Sequence, residues 1–169
     1  MRRLLPALAL LSLTTVARAG ETQSAPTFAE LQGDVTIVSF WATWCPPCVA
    51  ELPSLAALAA HVDGQATRVV AISVEDGAGA AEARRLFAAR KLTMPLITDG
   101  KPLYARLFHR SHVSVPRLAV IDRSGRGFSI EGFAPDESPA DFVRELDDVV
   151  ARVRAGSTQA PRGWQRLRR

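Results

Sequence analysis

Cysteine is scarce in this chain of 169 residues: there are two, Cys45 and Cys48. That excludes the multiply cross-linked scaffold by which small secreted domains compensate for a thin core. A bridge between positions so close in sequence closes a tiny loop, constrains little of the unfolded chain and adds little stability. Strain and exposure make such a bond easy to reduce, which suits a disulfide that opens and closes in use. A second absence is an apolar run of the ~20 residues that a membrane-spanning helix needs. The longest candidate, Leu4 to Val16, is shorter and is interrupted by Pro6, and no cysteine follows it to carry a lipid. Internal repeats are missing as well, so a solenoid is excluded.

Clustered positive charge is missing from the body of the chain despite a formal net charge of +4. Arg2, Arg3 and Arg18 lie in the first segment, and Arg152, Arg154, Arg162, Arg166, Arg168 and Arg169 all follow the last acidic residue, Asp148. What remains, residues 20–151, has 12 basic against 17 acidic groups. A phosphate footprint needs clustered cations, so nucleic acid is excluded as a partner of the body.

The first segment has the layout of a secretory signal: a basic start, a short apolar stretch, and Ala17-Arg18-Ala19 as a small-x-small cleavage site before Gly20. The expected organisation is therefore a signal peptide over 1–19, a leader over 20–34, one domain over 35–154 and a mobile basic tail over 155–169. The mature length suits one domain with its own core.

The stretch Ser39-Phe40-Trp41-Ala42-Thr43-Trp44-Cys45-Pro46-Pro47-Cys48 organises the rest. Before it, Val35 to Phe40 is an apolar, β-branched run that reads as a strand buried on both faces. After it, Val49, Leu52, Leu55 and Leu58 repeat with helical spacing, and the prolines suit a first helical turn, where a missing N–H costs nothing. Pro53 falls inside this helix and predicts a bend. Both thiols thus sit at a helix start, where unpaired backbone N–H groups favour a thiolate. One helical turn also brings their Cα atoms within disulfide reach.

Further along, Arg68–Val74 reads as a second buried strand ending at Glu75-Asp76-Gly77, and Ala80–Arg90 as a helix. Met94–Ile97 is a short strand, Pro102–Phe108 a short helix and Leu118–Ile121 a strand. Asp122-Arg123-Ser124-Gly125 is hairpin-turn chemistry, predicting antiparallel pairing with Phe128–Phe133. Ser138-Pro139-Ala140-Asp141 caps a last helix whose buried face is Phe142, Leu146, Val149, Val150 and Val153. Alternating strands and helices imply parallel pairing with right-handed crossovers.

Trp41 through Cys48, together with Pro53 eight residues past the first cysteine and Val115-Pro116 ahead of a strand and hairpin, resembles the thioredoxin superfamily. Residues 35–153 follow its element order. The closest resemblance is to exported TlpA/ResA-like thiol–disulfide oxidoreductases, with residues 76–95 as their extra stretch between core strands. This implies an α/β thioredoxin fold: a mixed central sheet flanked by helices on both faces. It implies a cis bond at Val115–Pro116, with Val115 and Trp44 forming the substrate-docking surface and Pro116 part of the catalytic site. Ser39 stands where cytosolic thioredoxins have a buried aspartate, so the proton acceptor for Cys48 must come from elsewhere. Glu75 or Asp76 resembles the acid that ResA-like proteins place beneath their cysteines. Ser111 through Arg117 lacks the Gly-Val-x-Gly-x-Pro-Glu approach of relatives in cytochrome c maturation.

The expected chemistry is a dithiol–disulfide cycle. Cys45 attacks a substrate disulfide as the thiolate, and Cys48 resolves the mixed disulfide, leaving a Cys45–Cys48 bridge. No cofactor is needed. The implied partners are disulfide-bonded proteins and a membrane thiol–disulfide reductant, with the chain a periplasmic monomer. The alternative is a metal chaperone, copper above all: Cys45-x2-Cys48 with His109-x2-His112 has ligand-like spacing.

Overall fold

The computed structural model describes residues 27–62, 65–131 and 138–167. The predicted signal and residues 20–26 of the predicted leader lie outside the described residues, as do Gly132 and Phe133 at the end of the predicted hairpin strand. In chain order the elements are α1 (Phe28–Leu31), β1 (Val35–Trp41), α2 (Pro46–His61), β2 (Thr67–Ser73), α3 (Gly77–Ala89), β3 (Leu96–Ile97), α4 (Lys101–Phe108), β4 (Arg117–Asp122), β5 (Gly127–Glu131), α5 (Pro139–Arg154) and β6 (Gln165–Arg166).

The strands form one mixed sheet in the order β3-β2-β1-β4-β5-β6. β1 lies at its centre, parallel to β2 and antiparallel to β4. Every residue of β1 is buried, as expected of a strand covered on both faces. Successive side chains on a strand point to opposite faces. Phe40 meets Tyr104 and Phe108 of α4, whereas Trp41 stacks on Phe87 of α3, so α3 and α4 cover opposite faces. Right-handed crossovers taken in one direction, β1 to β2 to β3, put α2 on the α3 face, and α5 packs against α2 there.

The parallel half of the sheet sets where its strands end. β1 and β2 run in register from Val35↔Thr67 to Trp41↔Ser73, and Val74 N–H adds one more bond to Trp41 C=O at 3.0 Å. The antiparallel strand β4 starts at that same end, because its first residue, Arg117, pairs with Phe40. The segments that follow β1 and precede β4 therefore meet at one edge of the sheet.

The chain end departs from the expectation of a mobile basic tail. Trp164 and Leu167 are buried, β6 pairs with β5, and Leu167 N–H donates to Gly127 C=O at 3.0 Å. The Trp164 indole N–H donates to Glu145 of α5 at 2.5 Å. Composition pointed the other way because arginines outnumber these two apolar anchors, yet two buried side chains and a short ladder suffice to dock a strand on an open edge.

Candidate active site

Three backbone donors define the turn from β1 into α2. Cys45 N–H donates to Ala42 C=O at 3.2 Å, closing a turn, and Val49 N–H donates to Cys45 C=O at 3.1 Å as the first bond of α2. Pro46 and Pro47 occupy the first two helical positions and have no N–H. The first helical donor is therefore Cys48 N–H, and it donates to Cys45 Sγ at 3.3 Å. Cys45 thus serves as the N-cap of α2, with sulfur where an aspartate or serine oxygen usually sits.

Cys45 and Cys48 are joined as a disulfide, with Cα atoms 5.3 Å apart. Both residues are buried, Cys45 at 5% exposure and Cys48 at 1%. Beside them Trp44 is 64% exposed, a large apolar side chain held in solvent, while Trp41 is wholly buried. The Val115–Pro116 peptide bond is cis, and Pro116 directly precedes the first residue of β4. The loop leading to it is pinned by Tyr104, whose hydroxyl donates to Ser114 C=O and accepts from Ser114 N–H, both at 3.1 Å.

The two acids expected near the sulfurs are engaged elsewhere. Glu75 accepts from Thr43 N–H at 2.7 Å, from the Thr43 hydroxyl at 2.7 Å and from the Ser73 hydroxyl at 3.2 Å. It ties the end of β2 to the residue before Trp44, an anchoring role. Asp76 precedes α3 and pairs with Lys101 in solvent, 3.4 Å apart.

A different carboxyl lies in the floor of the site. Glu51 is one helical turn beyond Cys48 on α2, 1% exposed, with both carboxyl oxygens buried and lacking a hydrogen-bond partner. On a helix, residues three apart are neighbours. Burial without compensation disfavours the charged form, and the Glu51 carboxyl is pushed up to about 8. A signal for it was present in the sequence: Cys48, Leu52, Leu55 and Leu58 form the buried stripe of α2, and Glu51, at three after Cys48 and four before Leu55, falls on that stripe. Ser39 is buried in β1 on the same face as Trp41. The missing strand carboxyl thus has a counterpart on the facing helix.

A family model described as the AhpC/TSA family matches residues 10–126. The chain belongs to the AhpC/TSA family. Among relatives of this AhpC/TSA chain is sporulation thiol-disulfide oxidoreductase A of Bacillus subtilis, 29% identical over 95 residues, or 56% of this chain and 56% of that protein. Another is thiol-disulfide oxidoreductase ResA of Oceanobacillus iheyensis, 38% identical over 53 residues, 31% of this chain and 28% of that protein. The chain spans about half the length, or less, of these curated relatives.

Among solved structures, a thiol:disulfide interchange protein of the thioredoxin family from Chlorobium tepidum superposes with a TM-score of 0.56 at 25% identity, covering 72% of this chain and 83% of that one. StoA from Bacillus subtilis gives 0.52 at 21% identity, covering 68% and 84%. The fold is the thioredoxin fold, as the resemblance implied.

Within that fold, the site brings together Trp44, Cys45 and Cys48, and the sheet register carries Val115 and Pro116 to the same edge. Among the described residues no group of three or more His, Cys, Asp or Glu side chains is placed to hold a metal ion. His109 instead closes α4 in a left-handed conformation, and His112 is exposed on the loop beyond it. No helix among the described residues is long and apolar enough to cross a membrane.

Proposed function

We propose that the chain is an exported thiol–disulfide oxidoreductase that reduces protein disulfides through Cys45 and Cys48. The observation that carries this reading is the pairing of a helix-capping Cys45 sulfur, which accepts the Cys48 N–H, with an unpartnered carboxyl on Glu51 one turn further along. The names of the relatives and the signal pattern of the first 19 residues support it.

In the reduced chain the Cys45 thiolate attacks one sulfur of a substrate disulfide. A bond forms between Cys45 Sγ and that sulfur, and the other substrate sulfur leaves as a thiolate. Cys48 then gives its proton to Glu51, in those molecules whose carboxyl has released its own, and attacks Cys45 Sγ, expelling the second substrate thiolate. Two electrons have passed to the substrate, and the chain is left with its Cys45–Cys48 bridge. A dithiol partner at the membrane reverses these steps, with Glu51 returning the proton to Cys48. A carboxyl held near about 8 is matched to such a shuttle, since proton transfer is most effective when the group titrates near the working pH. Trp44 and the Val115 backbone provide the surface on which the substrate rests.

The donor count at α2 supports the reducing direction. A strong oxidant has a heavily stabilised thiolate. Here two of the helix's first three N–H groups are replaced by proline, and one donor reaches Cys45. A modestly stabilised thiolate favours the disulfide form, which makes the dithiol a good reductant. Equilibration with glutathione buffers tests this. The expected potential lies near the thioredoxin value of about −270 mV, and one near about −120 mV would make the chain an oxidant.

A further inference from the structure

The C-terminal end of α4 and the β4–β5–β6 part of the sheet enclose a cleft of about 460 Å³, lined by Leu107, Phe108, Arg110, Arg117, Ser129 and Gln165 among others. Among the described residues, none that lines it is acidic. Arg117, 3% exposed, lies over the Phe108 ring, its guanidinium carbon 4.1 Å from the centroid, and pairs with Glu131. Arg110, on the loop after α4, reaches the same Glu131 oxygen at 3.1 Å. Two guanidinium groups thus share one carboxylate, and Arg166 lines the cleft as well, which leaves net positive charge at a site where low dielectric concentrates the field. The Arg117 Nε–H is buried and has no partner. A purely structural ion pair gains nothing from an unsatisfied donor, whereas a planar guanidinium with a spare edge suits a second carboxylate.

Position gives this cleft its meaning. Arg117 is the residue after Pro116, and an extended chain advances about 3.3 Å per residue. A substrate segment resting on Val115 would pass the cleft within a few residues of its reacting cysteine. We infer that the cleft receives an acidic side chain of the substrate polypeptide, so that this chain prefers disulfides flanked by aspartate or glutamate. The inference rests on the oxidoreductase reading above.

The test compares reduction of two disulfide-bonded peptides, identical except that glutamate or glutamine flanks the cysteine. The native chain should reduce the glutamate peptide about fivefold faster at low salt, the scale of a part-exposed ion pair. High salt should erase the preference. Arg117 is buried, and its replacement risks the fold, so Arg110→Gln is the variant to read: it should lose the preference, and Arg110→Glu should invert it. Equal rates in the native chain, or a preference that survives in Arg110→Gln, would overturn the inference and leave the redox reading standing. Failure to reduce either peptide would remove both.

Discussion

The wall of the site before Cys45 and the floor behind Cys48 are built on opposite plans. In the wall, Glu75 is saturated: Thr43 and Ser73 supply three hydrogen bonds to one carboxylate. In the floor, Glu51 has no partner for either oxygen. Both are glutamates set against the β1–α2 unit, one through Thr43 and one on α2 itself, yet one holds backbone in place and the other is left free to change charge. A carboxylate whose oxygens are engaged by fixed donors acts as a fastener. An unsatisfied buried one carries a proton at neutral pH, and that proton can be exchanged. The difference separates an acid at the end of β2 that ties Thr43 to Ser73 from one on the buried stripe of α2 with neither oxygen engaged.

The largest test of this contrast removes the group that both regions serve. Cys45→Ser should abolish disulfide reduction, while Cys48→Ser should retain the first attack and accumulate mixed disulfides through Cys45, visible as adducts on non-reducing gels. Loss of adducts in Cys48→Ser would mean that Cys45 is not the nucleophile.

Next in size is the floor. Below pH 4.5 both folded and unfolded chains hold the Glu51 proton; between 4.5 and about 8 the unfolded chain releases it and the folded chain keeps it, so stability falls as pH rises through that window. Glu51→Gln removes this dependence. Native and variant unfolding free energies from urea titrations should therefore diverge across the window by on the order of 4 kcal/mol in the variant's favour. Parallel curves would show that Glu51 titrates normally. The same variant should slow resolution by Cys48 more than attack by Cys45, read as a longer-lived mixed disulfide.

In the wall, Glu75→Ala leaves Thr43 N–H without its acceptor and should cost about 2 kcal/mol. Its activity should fall through a displaced Trp44 and Cys45, without a shift in the pH–rate profile. Smallest is Tyr104→Phe, which frees the Ser114 loop from the other side of the site and should cost about 1 kcal/mol by thermal or urea unfolding.

Much of this was legible in the sequence. Val35–Phe40 followed by a helical stripe placed β1 and α2, because a continuous apolar run and a 3.6-residue period are both strong signals. The helix α3 begins at Gly77, earlier than Ala80, since glycines that read as a turn supply its first residues. Glu51 is hard to read as buried because a charged side chain ordinarily marks the surface, although its position on the Cys48–Leu55 stripe puts it inside. The docking of Trp164 and Leu167 was hidden for a different reason: pairing with β5 depends on an open sheet edge, which is a property of the assembled sheet and not of residues 155–167 themselves. The cleft at Arg117 is likewise tertiary, formed where α4, β4 and the returning C-terminal strand come together.

The most direct test of the cycle is a single-turnover reaction of the reduced chain with a disulfide-bonded protein, followed by alkylation and mass analysis of both partners. The account predicts one substrate disulfide opened for each Cys45–Cys48 bridge closed. A substrate left intact, or one opened equally well by Cys45→Ser, would contradict it.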